Sequence, residues 1–124
     1  QITLKNPKRG SVDVRKSKSA ISPNVIHSLD SAHLISTVFK CFTQKRIKDF
    51  MLIHDSFGTT PAQMQGMYEA IREAFVEMYE GRDWYEDLLR QVVARLSDDV
   101  VLPELPVKGD LDISLVLDSK YCFS

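Results

Sequence analysis

Cysteine is scarce in this chain. Cys41 and Cys122 are its only two thiols among 124 residues, and neither has a second thiol or a histidine at ligand spacing, which excludes a disulfide framework and a zinc knuckle. Both are expected to be reduced and partly buried. No apolar run approaches the roughly 20 residues needed to cross a bilayer, and the opening residues lack the charged-then-apolar order of a secretory leader. A soluble, cytoplasmic, unsecreted protein with no membrane partner is the expectation. A glycine-rich phosphate loop, an internal repeat, a low-complexity tract and a Ser/His/Asp order of known form are also missing. The three histidines, His27, His33 and His54, do not add up to a zinc site, because positions six apart on a helix point about 240° away from each other. No methionine precedes Gln1, which reads as a chain taken from inside a longer gene product or cleaved from one.

What the chain does contain suits one ordinary globular core: 44% hydrophobic and 27% charged residues. The net charge of −1 hides an asymmetry. Residues 1–22 carry six basic side chains (Lys5, Lys8, Arg9, Arg15, Lys16, Lys18) against one acid, Asp13, whereas residues 23–124 carry ten basic groups against sixteen acids. A basic arm of this kind either holds phosphates electrostatically or is simply a solvated charged loop, and composition favours neither. Within it the alternation of Ile2, Leu4, Val12 and Val14, broken by Pro7 and Gly10, suits an extended arm or two short strands better than a helix.

From Pro23 onward, Val25, Leu29, Ala32, Ile35, Phe39 and Phe42 recur on one helical face. The predicted helix runs from Pro23, in the first turn where its missing N–H costs nothing, to about Gln44. Phe50-Met51-Leu52-Ile53 is short and uniformly apolar, as a buried strand would be, with Phe57-Gly58-Thr59-Thr60 as its partner. His54, Asp55 and Ser56 then occupy the tip of a hairpin spanning 50–60. Thr60 and Gln63 have the form of a capping box. It opens a helix striped by Met64, Met67 or Tyr68, Ile71, Phe75 and Met78, which Gly81 closes in a left-handed conformation. Asp83 and Glu86 form a second box before a helix with core face Trp84, Leu88, Val92 and Leu96. The segment 100–124 is broken by Pro103, Pro106 and Gly109, and its aromatic end, Tyr121 and Phe123, is expected to be docked. The fold class is α+β, mainly helical with a small antiparallel β-hairpin. Such a hairpin has too few strands for a sheet of its own, so three helices should cover one face, and exposed apolar surface is expected.

Asp55 is the position at which chemistry concentrates. A single carboxylate after four apolar residues and a histidine, at a turn, is costly to bury unpaired. A metal ion offsets such a cost, and a plain turn hydrogen bond is the competing explanation. Asp98-Asp99 and Asp110/Asp112 read as solvated surface acids.

The run Ile53-His54-Asp55-Ser56-Phe57-Gly58-Thr59, followed by Pro61, resembles the palm hairpin of single-subunit bacteriophage-type DNA-directed RNA polymerases. Two further stretches resemble the same family: Pro23-Asn24-Val25-Ile26-His27-Ser28-Leu29-Asp30-Ser31-Ala32-His33-Leu34, and Pro106-Val107-Lys108-Gly109-Asp110-Leu111 with the aromatic, small, aromatic, small ending at Ser124. The resemblance covers roughly residues 20–124, and the arm before them more loosely. Mitochondrial relatives look more distant, and Ser56 stands where related DNA polymerases usually carry Glu.

The resemblance implies that 23–124 is a C-terminal palm fragment with a tail at 100–124. It further implies that Asp55 is a catalytic aspartate binding Mg2+ in two-metal nucleotidyl transfer, that His54 is structural or faces the nucleotide, and that His27 meets a minor-groove edge near the active site. Leu29 departs from the polar residue common two places after that histidine. Two-metal transfer also needs a second aspartate and basic residues for the triphosphate, and neither is found here. The implied partners are therefore the remainder of the polymerase, DNA template, RNA product and nucleoside triphosphates, in the cytoplasm of an infected bacterial host, and the isolated chain is expected to be inactive. A non-catalytic helical interaction domain and a DNA polymerase palm fragment are the alternative readings.

Overall fold

A computed structural model describes residues 12–53, 55–97 and 100–122. The chain divides into two compact units, Gln1–Ala32 and His33–Ser124. Helix α1, Val14–Gln44, contributes to both.

In the first unit, Asp13 starts α1. Its carboxylate accepts from the Lys16 amide at 3.1 Å, satisfying one donor that a helix start leaves without a partner, and its carbonyl takes the first intrahelical bond, from the Ser17 amide at 2.9 Å. The extended reading of the arm is corrected over 14–22, which are helical, and the helix begins nine residues before Pro23. Pro23 lies inside α1, where it forfeits a backbone bond at a cost of about 3 kcal/mol. The helix nevertheless continues through Pro23, from the Asp13 cap to Gln44. Residues 1–11, with the predicted Ile2/Leu4 alternation, lie outside the described residues.

The second unit holds the hairpin. Strand β1, Met51–Ile53, pairs antiparallel with β2, Ser56–Gly58. A 3-10 turn, Pro61–Gln63, leads into helix α2, Met64–Tyr79; helix α3, Trp84–Val93, and a second 3-10 turn, Ile113–Val116, follow. The α+β expectation holds, with helix predominating and one two-stranded sheet among the described residues. Cys41, Ile47, Met67, Ala70 and Ile71 form the core, and Phe50 and Phe57 pack against it. Gly81 takes φ +67° after α2, the left-handed conformation its position suggested. Asp83 caps α3 by accepting from the Tyr85 and Glu86 amides. Thr60 behaves differently from expectation. It makes no side-chain bond to a helix amide, and its hydroxyl donates to Gln63 Oε1 at 3.2 Å instead.

Three packing expectations are corrected. The second half of α1 turns its apolar stripe outward: Ile35, Phe39 and Phe42 are 67%, 68% and 55% exposed, while His33, Thr37, Lys40 and Cys41 are buried. The reason is that two of the buried polar side chains, His33 and Lys40, find their partners on α2, as described below, whereas the buried Thr37 hydroxyl has no hydrogen-bond partner among the described residues. Helix α3 has no buried residue, and Val92 and Leu96 remain exposed. Tyr121 is exposed as well, and so is Cys122, in contrast to the buried Cys41; Phe123 lies outside the described residues.

The tail is nevertheless held, through polar groups. The buried Arg72 guanidinium lies over the Tyr68 ring at 3.4 Å and donates from Nε to the Ser119 carbonyl at 3.0 Å, and the Tyr68 hydroxyl donates to the same oxygen. The 3-10 turn at 113–116 packs on α2. Lys108 pairs with Asp83, which fastens the segment after Pro106 to the cap of α3.

Candidate active-site hairpin

In the hairpin register Met51 faces Gly58, Leu52 faces Phe57 and Ile53 faces Ser56. Asp55 stands in the connection between the two strands, one residue before Ser56. His54 itself lies outside the described residues. Asp55 is exposed at the turn, and no described residue donates a hydrogen bond to its carboxylate.

Directly opposed residues share a face of the sheet. One face is Met51, Ile53, Ser56 and Gly58, and it is largely open: Met51 and Ile53 are both exposed. Burial by these neighbours therefore does not create the electrostatic cost at Asp55 that the apolar run suggested. The strands approach closely at their base, where a Cβ on Gly58 would stand 3.3 Å from the Met51 carbonyl oxygen. The other face carries Leu52 and Phe57, with Phe57 against the core. Thr59 closes the base by donating to the Asp49 carbonyl at 2.8 Å.

Beneath Phe57 lies His33, a buried imidazole whose ring meets Phe57 edge-on at 5.8 Å between centroids and Phe75 at 5.5 Å. Its Nε2 is 2.9 Å from the Ile71 carbonyl oxygen. A carbonyl only accepts, so Nε2 carries the proton. In the sequence His33 figures as a rejected zinc ligand and as part of the stretch that resembles the polymerase family, without a role of its own; its signal is a histidine one helical turn before Thr37 and two before Lys40 and Cys41, on the side opposite Ile35, Phe39 and Phe42.

The same side of α1 carries a charge network that the sequence did not disclose. Lys40, 6% exposed, donates to Glu77 at 2.6 Å and Glu73 at 3.1 Å, and Lys45 donates to Glu69 at 2.8 Å and Glu73 at 3.3 Å. Burial works to depress the Lys40 pKa, but the hydrogen bonds it donates to Glu77 and Glu73, with their negative charges, outweigh it and hold the ammonium above the ordinary lysine range. Bonding to Glu69 likewise raises Lys45, and Lys45 lowers Glu69. Three glutamates spaced four residues apart on α2 thus grip the end of α1. Burial pushes the Cys41 thiol up, as suits an inert core residue.

His27 sits on the first unit's part of α1, exposed, with its backbone carbonyl accepting from the Ser31 hydroxyl at 2.8 Å. It and Asp55 belong to different compact units. Among the described residues no group of three or more His, Cys, Asp or Glu side chains is placed to hold a metal ion, and no helix is long and apolar enough to cross a membrane.

Residues 1–102 match the DNA-dependent RNA polymerase family. The chain is 37% identical to T7 RNA polymerase of Escherichia phage T7 and 37% identical to the DNA-directed RNA polymerase of Enterobacteria phage T3, aligned in each case over its whole length and over 14% of the relative. A plant organellar protein is nearly as similar: the mitochondrial DNA-directed RNA polymerase 1 of Arabidopsis thaliana is 35% identical over the whole chain and 12% of its own length. The chain thus spans about one seventh of the phage relatives it matches. With its family match covering most of its length and its similarity to phage polymerases extending end to end, this chain belongs to the DNA-dependent RNA polymerase family.

Proposed function

We propose that this chain is the C-terminal palm portion of a phage-type single-subunit RNA polymerase and supplies one metal-binding aspartate, Asp55, for template-directed addition of ribonucleotides. The observation that carries the reading is the exposed Asp55 carboxylate at the turn between two registered strands, with Phe57 packed on the core. Family membership adds the chemistry such a carboxylate would serve.

An exposed carboxylate fits Mg2+ as a single ligand, since that ion keeps several waters and takes one or two carboxylates. Bound there, Mg2+ would polarise phosphoryl oxygens and stabilise charge on the attacking and leaving oxygens. Asp55 is the oxygen donor held in place, and Phe57, packed on the core, fixes the turn that presents it. The second aspartate and the groups that hold the triphosphate come, in this reading, from the remainder of the polymerase. His54 lies beside the nucleotide, and His27 meets the minor-groove edge of the base pair, where every pair offers acceptors. The working partners are DNA template, RNA product and nucleoside triphosphates, in the cytoplasm of an infected bacterium, and the chain alone is inactive.

The test is Asp55→Asn in a complete polymerase carrying this chain. Nucleotide addition should fall by about a hundredfold or more while template binding stays at the parental level. A near-parental rate of addition would overturn the reading.

A further inference from the structure

We propose that His33 is a positioning residue for Asp55, acting through Phe57; the inference rests on the metal-ligand reading of Asp55. The hairpin is three residues on each strand, too small to hold its own shape, so the orientation of its turn is set by whatever grips its inner face. Phe57 is that grip, two residues after Asp55 and packed on the core. His33 meets it edge-on at 5.8 Å and 66° between ring planes.

An apolar side chain would fill the same space, so the choice of imidazole needs a reason. It lies in the bond from Nε2 to the Ile71 carbonyl at 2.9 Å, which fixes the ring plane against the backbone of α2. The ring of Phe75, at 5.5 Å and 87°, supports it from a second direction. A continuous chain of contacts therefore runs from α2 through His33 and Phe57 to the strand that begins one residue after Asp55. Edge-on aromatic contacts are directional, so a turned ring at 33 moves Phe57, and a small tilt of a short hairpin displaces the carboxylate at its tip.

The experiment uses a complete polymerase carrying this chain, bound to template and primer, in the parent and in His33→Phe, Phe57→Leu and Asp55→Asn. His33→Phe keeps a ring and loses the anchoring N–H. Two readouts are taken: Mn2+ affinity from the electron paramagnetic resonance signal of the free ion, and the Mg2+ concentration at half-maximal nucleotide addition. His33→Phe and Phe57→Leu should each weaken Mn2+ binding about tenfold, the scale of outer supporting groups at metal sites, and shift the Mg2+ requirement by the same factor. Saturating Mg2+ should restore their rate but leave Asp55→Asn inactive, which a merely structural role for His33 does not predict. Parental Mn2+ affinity in folded His33→Phe, with Asp55→Asn defective, overturns the positioning role and leaves Asp55 standing. If His33→Phe does not fold, parental affinity in Phe57→Leu overturns it equally. Parental metal binding and activity in Asp55→Asn removes the metal-ligand reading, and the positioning role with it.

Discussion

Arg72 donates from Nε to the backbone carbonyl of Ser119 at 3.0 Å, across 47 residues of sequence, and this bond fastens the C-terminal segment to α2. The same guanidinium also donates to the carbonyls of Tyr68 and Lys120. Arg72→Met keeps the stem and removes three charge-assisted hydrogen bonds to part-buried carbonyls, and should cost about 2 kcal/mol. Trypsin cleavage after Lys120 should become faster, read by mass spectrometry of a time course. Arg72→Lys should not rescue it, because an ammonium cannot reproduce a planar fork stacked on Tyr68.

Stability should form a plateau with two edges. Lys40 and Lys45 have folded-state values raised above the unfolded value of about 10.4. Their contribution is complete below about pH 10.4 and is lost as pH rises through the raised values. Glu69 and the α3 cap Asp83 have lowered values, and so has Asp112, read from sequence only as a surface acid, whose carboxylate caps the 3-10 turn at 113–116 by accepting from the Ser114 amide at 2.9 Å. What they add is present above their unfolded values of about 4 and disappears as pH falls through the lowered ones. Urea midpoints measured from acid to alkali check both edges, and Lys40→Met should flatten the alkaline one.

The two thiols should separate cleanly under a thiol-specific reagent. Cys122 is exposed and Cys41 fully buried with its thiol pushed up by that burial. The native chain should titrate a single fast thiol, lost in Cys122→Ser, with the second appearing only in denaturant.

Arg46 follows α1 in the left-handed region, φ +56°, and the Ile47 amide then turns back to the Cys41 carbonyl at 3.0 Å. A side chain there costs about 1–2 kcal/mol that glycine avoids. Arg46→Gly should therefore raise the melting temperature by a few degrees, read by calorimetry.

Local chemistry was legible in the sequence wherever the partners were close in sequence. The hairpin around Asp55, the left-handed Gly81 and the Asp83 cap each depend on residues within a few positions, and the structure shows all three. The start of α1 was missed because Asp13 reads as one acid in a basic arm and Pro23 as a stronger signal. His33, Lys40 and Arg72 were missed for another reason: their partners Ile71, Glu73, Glu77 and Ser119 lie 33 to 47 residues away. Periodicity identified the stripe Ile35, Phe39, Phe42 but said nothing of which surface receives it.

That outward stripe bears on how the chain behaves at the bench. With a net charge of only −1, copies of the chain repel one another weakly, so three large apolar side chains in a row on α1 meet little electrostatic resistance to clustering. In isolation that stripe joins other exposed apolar side chains, Met51 and Ile53 among them, in favouring association. Phe39→Glu, which touches none of the contacts that support Asp55, is the economical change for keeping this chain dispersed at the concentrations that spectroscopy requires.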